Sequence, residues 1–309
     1  MKVLITGVAG FIGSHLVDCF IEKGHTVIGV DSFLTGRPEN IEHFSKEKFK
    51  FIKADVTCEN FDPEEDIDGV LHLASPASPL DFKKLPLEIM DANSVGTKRC
   101  LEVARKYSAR FLMASTSEVY GDPLVHPQVE SYLGNVNPCG VRSVYDESKR
   151  FSEALTYAYK RKYGLEVRVA RIFNTYGPRM RIDDGRVVPA FIDGALNGRA
   201  LTVFGDGKQT RSFCYVSDEV EGIYRLFNSD YSGPVNIGNP DEFTIIELAK
   251  VLGDIIGRKL KLKFLPLPED DPVRRRPDIT LARKVLGWEP KVLLAEGLKY
   301  TYEWYKNRR

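Results

Sequence analysis

The sequence predicts an α/β protein, with a Rossmann-type doubly wound parallel sheet and a smaller C-terminal substrate-binding domain. Two observations lead to this prediction. Short apolar runs alternate with amphipathic stretches of helical period through the first half of the chain, and these runs contain few polar residues. Strands that alternate with helices form crossover units in a parallel sheet, and nearly continuous apolar strands are typical of a sheet covered on both faces.

The order of the elements is regular up to residue 176. The candidate strands are residues 2–6, 26–30, 50–53, 69–73, 110–114 and 166–173. The helical patterns are residues 11–22, 90–106, 146–163, 189–196, 245–256 and 294–306. Beyond residue 176 proline and glycine become frequent and the connections lengthen. We therefore expect residues 1–175 to form the sheet domain and residues 176–309 a second domain that closes over the sheet edge. Residues 211–237 are expected to return to the first domain.

Composition and charge describe an ordinary globular chain without a polyanion-binding surface. The 309 residues are 43% hydrophobic and 28% charged, and 44 Lys+Arg against 43 Asp+Glu leave a formal net charge of +1. A balance so near zero predicts no nucleic-acid partner. No run approaches the ~18 consecutive apolar residues of a membrane span, so we expect no membrane association.

The cysteines and histidines lack the spacing of a metal site or a disulfide framework. The five cysteines are widely separated, odd in number and never in a Cys-x-x-Cys spacing, and the five histidines show no ligand pattern. We therefore expect no metal site. Unpaired thiols indicate a reducing compartment, so a cytoplasmic location is expected.

A dinucleotide site is predicted at the start of the chain. The first strand leads directly into Gly7-x-x-Gly10-x-x-Gly13 and then into a helix. Glycines at this turn allow the backbone to approach a pyrophosphate, which the free N–H groups of the helix terminus then bind. Asp31 ends the second strand, where a carboxylate accepts hydrogen bonds from ribose hydroxyls and repels a 2′-phosphate. The cofactor is therefore predicted to be NAD.

Further cofactor contacts are expected around these strand ends. The additional candidates are Phe11, Ile12, Asp55, Val56, Leu73 and Ala74. Asp55 ends the third strand, where it could contact the adenine, but an ordinary loop aspartate explains it nearly as well. These residues extend the predicted NAD site along the sheet edge.

A catalytic pair is predicted in the helix 146–163 region. Tyr145 and Lys149 are four residues apart, which places both side chains on one helix face. A tyrosine with a pKa near ~10 is a poor base, but a neighbouring ammonium and the positive nicotinamide both favour the phenolate. Tyr145 could then accept a proton from a sugar hydroxyl, and Thr116, at the end of a strand, could hydrogen-bond the same hydroxyl.

With these motifs, the chain resembles the extended short-chain dehydrogenase/reductase family over almost its whole length. Segment 171–179 is similar to the one whose asparagine meets the substrate diphosphate, and segment 205–213 to the one whose arginine reaches nucleotide phosphate or ribose. A guanidinium suits this role because it bonds oxyanions in a bidentate fork. The resemblance implies the following substrate-binding residues: Ser117, Asn174, Arg179, Arg186, Val187, Gln209 and Arg211.

Longer stretches are similar to the branch of the family that decarboxylates UDP-glucuronate to UDP-xylose. They are residues 71–79, 114–127, 184–188, 270–272 and 275–279. The resemblance implies that Tyr145 removes the C4 hydroxyl proton while hydride leaves for NAD, and that the 4-keto sugar then loses C6 as CO2. It assigns these middle steps to Glu118 and Arg275. Hydride would return to C4 within the turnover, so NAD is expected to be recycled and to stay bound.

Three other functions remain open at this point. A 4,6-dehydratase needs a proton donor for the C6 hydroxyl, and that branch has an aspartate where this chain has Ser117, a far poorer acid. A 4-epimerase needs no carboxylate there. A non-catalytic NAD-binding regulator would have no need of Thr116, Tyr145 and Lys149 together.

The resemblance also implies a homodimer. The expected contacts are helices 90–106 and 146–163 of each copy, each of which carries an apolar face. A face buried within one chain would give the same pattern, so the residues alone leave both explanations open.

Overall fold

The computed structural model describes residues 1–59, 61–266 and 274–308, and its strands and helices follow the predicted alternation. The strands are β1 (Lys2–Thr6), β2 (Thr26–Asp31), β3 (Phe49–Lys53), β4 (Gly69–His72), β5 (Arg110–Thr116), β6 (Val167–Ile172), β7 (Thr175–Tyr176), β8 (Leu201–Phe204), β9 (Thr210–Ser212), β10 (Cys214–Tyr215), β11 (Pro234–Ile237), β12 (Glu242–Thr244), β13 (Leu262–Leu265) and β14 (Arg274–Arg275). The helices are α1 (Phe11–Glu22), α2 (Asp81–Lys84), α3 (Pro86–Asp91), α4 (Thr97–Lys106), α5 (Ser143–Tyr163), α6 (Val187–Leu196), α7 (Val216–Asn228), α8 (Ile245–Ile256), α9 (Thr280–Leu286) and α10 (Leu294–Lys306).

The predicted parallel sheet is confirmed. Within the described residues, seven strands form one sheet in the order β11-β6-β5-β4-β1-β2-β3, and every neighbouring pair is parallel. The strand order reverses between β1 and β4, where Thr6 lies level with His72. In open sheets of this kind, ligands bind outside the carboxyl ends of the strands at such a reversal.

The core covers both faces of the sheet. On β1, Val3 and Ile5 pack into one apolar cluster with α1 and α7, whereas Leu4 packs into a second cluster with α4. Because side chains alternate across a strand, the two clusters lie on opposite faces. This arrangement explains why the strands read as nearly continuous apolar runs.

The second domain has its own core, and part of the chain returns from it to the sheet. Its core is built from α6, α8 and α10 and includes Phe191, Leu248 and Leu298. The segment 211–237 contributes α7 and the edge strand β11 to the sheet domain. Residues 279–288 also return, because Ile279 and Trp288 bury their side chains in the same cluster. The predicted boundary had left that last segment in the second domain.

Two predicted helices differ from the observed ones. The stretch 90–106 is helical throughout, as predicted, but a π-helical turn, Ala92–Gly96, lies between α3 and α4. The carbonyl of Asn93 accepts hydrogen bonds from Thr97 Oγ1 at 2.7 Å and from Ser152 Oγ at 2.5 Å, which accompany the wider turn. The stretch 146–163 begins three residues earlier, at Ser143, so Tyr145 lies in the first turn of α5.

Among the described helices, none is both long and apolar enough to cross a bilayer.

Candidate active site

A large cavity lies between the carboxyl edge of the sheet and the second domain. Its volume is about 1450 Å³, above the ~300–1,000 Å³ of a pocket for a single small ligand, so it has room for a dinucleotide and a second ligand. The predicted site residues in its wall are Gly7, Gly10, Phe11, Ile12, Gly13, Asp31, Asp55, Val56, Leu73, Ala74, Thr116, Ser117, Glu118, Tyr145, Lys149, Asn174, Arg186, Val187, Gln209, Arg211 and Arg275. These residues come from both domains and converge only in the folded chain.

The glycine-rich turn forms a cradle that side chains would fill. Gly7 has a φ of 75°, and a Cβ on Gly13 would lie 2.0 Å from the Gly7 carbonyl oxygen. Gly10 precedes α1 and supplies no side-chain cap, so the first N–H groups of the helix are available to a ligand. The turn therefore fits a pyrophosphate bound at the positive end of the helix dipole.

Asp31 lies in the adjoining part of the cavity wall. Its Oδ2 accepts a hydrogen bond from Ala9 N at 2.9 Å and its Oδ1 one from Phe33 N at 2.8 Å, so the carboxylate is fixed in place. Burial raises the pKa of Asp31, and these two N–H groups oppose that rise. Each oxygen retains a lone pair for a ribose hydroxyl. Together with the glycine turn, this carboxylate fits NAD.

Asp55 lines the cavity but also has a local structural role. Its Oδ1 accepts hydrogen bonds from Thr57 N at 2.9 Å and Thr57 Oγ1 at 2.7 Å, which form an Asx turn after β3. The position of Asp55 is therefore compatible both with a contact to the adenine and with an ordinary loop aspartate.

Tyr145, Lys149 and Thr116 meet at the centre of the cavity. Hydrogen bonding by the nearby Thr116 hydroxyl lowers the pKa of the Tyr145 phenol, and Lys149 Nζ donates to the Ala114 carbonyl at 2.9 Å. The ammonium nitrogen lies 5.7 Å from the centroid of the Tyr145 ring. Burial raises the pKa of Tyr145 to about 12 and lowers the pKa of Lys149 to about 7. A positive charge at the nicotinamide position would lower the pKa of the phenol and make it a proton acceptor.

Beside this pair, Glu118 is held between two arginines. Arg275 Nη1 donates to Glu118 Oε1, and Arg142 Nη2 donates to Glu118 Oε2 at 2.5 Å. Arg275 Nη2 also donates to the Gly121 carbonyl at 3.0 Å. Burial alone would raise the pKa of Glu118, but the two guanidiniums outweigh it and hold that pKa well below its ordinary value. Glu118 is therefore a carboxylate at neutral pH and cannot act as a proton donor.

Arg142 is a site residue that the sequence analysis missed. It lines the cavity beside Tyr145 and directly precedes α5. Its contact with Glu118 spans 24 residues and follows no periodic pattern, so only its place three residues before Tyr145 could have indicated it.

The structure does not bring Arg179 to the cavity. Its Nη1 donates to Asp18 of α1 at 2.6 Å, and its Nη2 lies 3.4 Å from His43, so the guanidinium is turned to the outside of α1. Arg181, two residues further on, lines the cavity instead and donates to both oxygens of Asp81 at 3.2 and 3.0 Å.

The remaining substrate candidates hold defined positions in the wall. Arg186 Nη1 lies 3.4 Å from Asp184 and its Nη2 donates to the Ala77 carbonyl. Gln209 Nε2 donates to the Phe204 carbonyl at 2.6 Å. Residues 270–272, which the sequence analysis found similar to the decarboxylating branch of the family, lie outside the described residues. In the ranges that are described, no group of three or more His, Cys, Asp or Glu side chains could hold a metal ion.

The buried Lys149 predicts a pH-dependent stability. An unfolded lysine titrates near ~10.4, so between pH 7 and that value the unfolded chain binds more protons, and the free energy of unfolding rises with pH. Lys149→Met removes this dependence. We expect it to stabilise NAD-stripped protein near pH 7 by about 2 kcal/mol, after allowing for the unpaired Ala114 carbonyl. Urea unfolding near neutral and near alkaline pH measures both effects, and a variant less stable at both would contradict the burial argument.

The fold and this site define a Rossmann-type enzyme that binds a dinucleotide and uses a Tyr–Lys pair. Residues 3–238 match the NAD dependent epimerase/dehydratase family. The chain belongs to that family, which is part of the extended short-chain dehydrogenases/reductases, and its cofactor is NAD.

The chain is also similar to individual members of this family. The chain is 54% identical to UDP-glucuronic acid decarboxylase 2 of Arabidopsis thaliana, over 100% of this chain and 69% of that protein. It is 52% identical to UDP-glucuronic acid decarboxylase 1 of Danio rerio, over 98% and 72%. The solved UDP-glucuronic acid 4-epimerase from Bacillus cereus, in complex with UDP-glucuronic acid and NAD, is 30% identical with a TM-score of 0.88, and 100% of each chain is covered.

Proposed function

We propose that the protein decarboxylates UDP-glucuronate to UDP-xylose through a 4-keto intermediate. The observation that carries this proposal is the placement of Glu118 and its two arginines in the same cavity wall as Tyr145. The identity of 50% or more to proteins named UDP-glucuronic acid decarboxylase supports the substrate. When bound, NAD accepts the hydride from C4 and returns it to C4 in the same turnover.

Tyr145 begins the reaction by accepting the proton of the C4 hydroxyl. Thr116 lines the same cavity and orients that hydroxyl by accepting or donating a hydrogen bond. Lys149 stabilises the phenolate and is held in place by the Ala114 carbonyl. Loss of this proton, together with the hydride, leaves a ketone at C4.

The carboxylate at C6 now lies β to that ketone. The C5–C6 bond breaks, its electron pair passes to the C4 carbonyl as an enolate, and CO2 leaves. Because Glu118 stays ionised, it repels the departing carboxylate and cannot protonate it. Arg275 supplies positive charge beside the enolate. A water molecule would protonate C5, and UDP-xylose would be complete once hydride had returned to C4 and Tyr145 had returned its proton to the C4 oxygen.

The loop 179–186 closes the cofactor cleft and explains how NAD could remain bound. Arg181 pairs with Asp81 at 3.0 Å, Arg37 pairs with Asp183 at 3.2 Å, and Ser78 Oγ donates to the Asp184 carbonyl at 2.5 Å. These contacts join the second domain to the loops after β2 and β4, which line the NAD cleft. NAD can leave only after some of them break.

Removing one of these contacts should release the cofactor faster. We expect Asp81→Ala to increase the NAD dissociation rate about tenfold, since losing a half-buried ion pair lowers the barrier by about 1.4 kcal/mol. The NAD content of purified protein during timed dialysis measures it. Asp62→Ala, which breaks an exposed ion pair with Lys106, is the matched control. Equal retention in the two variants would contradict the role of loop 179–186.

A 4-epimerase of the same family is the second candidate. It is favoured by the likeness to an epimerase solved with UDP-glucuronic acid, which implies the same first step. Ser117 stands where a dehydratase would need a carboxylic acid, so dehydration is disfavoured.

The deciding experiment is incubation of the protein with UDP-glucuronate, followed by chromatographic separation and mass analysis of the product, because UDP-galacturonate and UDP-glucuronate have the same mass. Release of CO2 with UDP-xylose, and no net change in reduced cofactor, is the expected result. UDP-galacturonate without CO2 would establish the epimerase, and unchanged substrate would indicate a non-catalytic NAD-binding protein.

We further infer a homodimer. Leu87 and Met90 of α3, Val95 of the π-helical turn and Phe151 of α5 are exposed apolar side chains on elements that pack together. An apolar face of this kind suits a two-fold contact with a second copy. Sedimentation of the wild type and of a Met90→Glu/Phe151→Glu variant tests it: a dimer that becomes a monomer is expected, and a monomeric wild type would refute it.

We also propose that the enzyme works in the cytoplasm. The thiols of Cys58 and Cys139 are exposed and unpaired, which suits a reducing compartment. Fractionation of cells that produce the protein tests this, and recovery from an oxidising compartment would contradict it.

A further inference from the structure

The segment 75–85, which follows β4, packs against loop 179–186 of the second domain. Asp81 of this segment forms the half-buried ion pair to that loop. Gly185 lies so close to Leu80 that a Cβ on the glycine would be 2.5 Å from Leu80 Cγ. Polar and apolar contacts therefore join the two pieces of chain, and a movement of the loop displaces the segment.

The residue that follows Asp81 contacts the catalytic ring. Phe82 stacks on Tyr145 with ring centroids 5.2 Å apart and an interplanar angle of 17°. Both side chains are buried, and with Ile89 they form a small apolar cluster that is separate from the larger cores. Two neighbouring residues of α2 thus have different partners: Asp81 holds the closing loop, and Phe82 holds the ring of Tyr145.

The position of this ring decides where the phenol oxygen lies. A tyrosine ring turns about two side-chain torsions, and a second ring stacked on its face restricts both. A displacement of about 1 Å at a reacting group can lower a rate by about 10²-fold. The stacking of Phe82 on Tyr145 therefore bears directly on the oxidation at C4, where the phenol accepts a proton.

Loop 179–186 also brings a positive charge to the phenol. Arg186, at the end of the loop, donates through Nη2 to the Ala77 carbonyl of the segment 75–85. Burial raises the pKa of Tyr145 to about 12, and the Arg186 guanidinium is the largest influence that opposes this rise. The closed loop therefore favours the phenolate by charge, in addition to its contacts with the segment.

We propose that Phe82 is a positioning residue, which passes the closed position of loop 179–186 through α2 to the ring of Tyr145. This inference rests on the proposed function only for the oxidation at C4, a step that a 4-epimerase shares. Oxidation of the sugar is then fastest while the loop that retains NAD is closed. The same contacts thus link retention of the cofactor to the activity of the base.

The first test removes the aromatic ring of Phe82. In NAD-saturated protein, Phe82→Leu should lower kcat by about 10- to 100-fold and leave the Kd for UDP-glucuronate within about threefold, because it misplaces the base and spares the nucleotide contacts. Phe82→Tyr, which keeps the ring, should recover most of the rate. Phe49→Leu is the matched control, since Phe49 is also buried and stacks on Phe51 at 6.4 Å and 25°, but does not line the cavity.

The second test is a double-mutant cycle with Asp81→Ala, again at saturating NAD. Asp81→Ala should lower kcat by about three- to tenfold in the wild type but by less than about twofold in the Phe82→Leu protein, because the contact through which it acts is then missing. The NAD dissociation rate should rise by the same factor in both backgrounds, since it depends on the ion pair with Arg181 and not on Phe82.

Initial rates give kcat and KM, titration calorimetry gives Kd, and timed dialysis gives the loss of NAD. Effects on kcat that multiply independently in the double variant would overturn the coupling. A Phe82→Leu rate equal to that of the wild type or of Phe49→Leu would overturn the positioning role. If Phe82→Leu does not fold, Asp81→Ala must still lower kcat at saturating NAD. If the wild type forms UDP-galacturonate, the proposed function alone fails, and the same rates are measured on that product.

Discussion

Tyr145→Phe should lower kcat for CO2 release by about 10³-fold or more, because it removes the group that accepts the C4 proton. The phenyl ring fills the same buried position and keeps its stacking on Phe82. The NAD content and the Kd for UDP-glucuronate should therefore stay within about threefold of the wild type. The rate of CO2 release and the titration of ligand measure the two effects separately.

Tyr159→Phe is the matched control for this substitution. Tyr159 is buried on the same helix, but its hydroxyl donates to Glu102, outside the cavity. Activity close to the wild type is expected for this variant. A Tyr145→Phe protein that decarboxylates as fast as the wild type would refute the mechanism.

Arg275→Met should separate oxidation from decarboxylation. Without this guanidinium the enolate loses its adjacent positive charge, and burial of Glu118 is compensated by Arg142 alone. We expect CO2 release to fall by about 10²- to 10³-fold, the scale for removing one stabilising donor at a developing oxyanion. Tyr145 is intact in this variant, so reduced cofactor should still appear when the substrate is mixed with it, as seen in its near-ultraviolet absorbance.

Substitution of the neighbouring Arg276 is the control for Arg275→Met. Its Nη1 lies 3.6 Å from Glu242, and it is not part of the cavity wall. Arg276→Met should therefore leave CO2 release nearly unchanged. Equal losses in the two variants would mean that Arg275 acts through the stability of this segment and not on the reacting atoms.

The sheet and the glycine turn could be predicted because their causes are local. Apolar runs and glycine spacing act on the residues that carry them, and each observed sheet strand up to β6 lies within two residues of its predicted bounds. The Tyr145–Lys149 pair is local in the same sense, since one helix turn joins them. The family resemblance placed Arg275 in the site, 157 residues from Glu118.

The features that escaped prediction depend on contacts between distant segments. Arg142 lies against Glu118, which is 24 residues away in the chain. In the loop after β7 no periodic pattern decides which arginine turns inward, and Asp18 holds Arg179 outside while Asp81 holds Arg181 inside. The π-helical turn likewise has a contact from another helix, since Ser152 Oγ donates to the Asn93 carbonyl.

The ties between loop 179–186 and the sheet domain have a consequence for how the enzyme responds to the cell. If NAD stays beneath that loop between turnovers, as we propose, the protein should behave kinetically as a one-substrate catalyst. Its rate should then follow the supply of the sugar nucleotide and be insulated from the ratio of oxidised to reduced coenzyme around it.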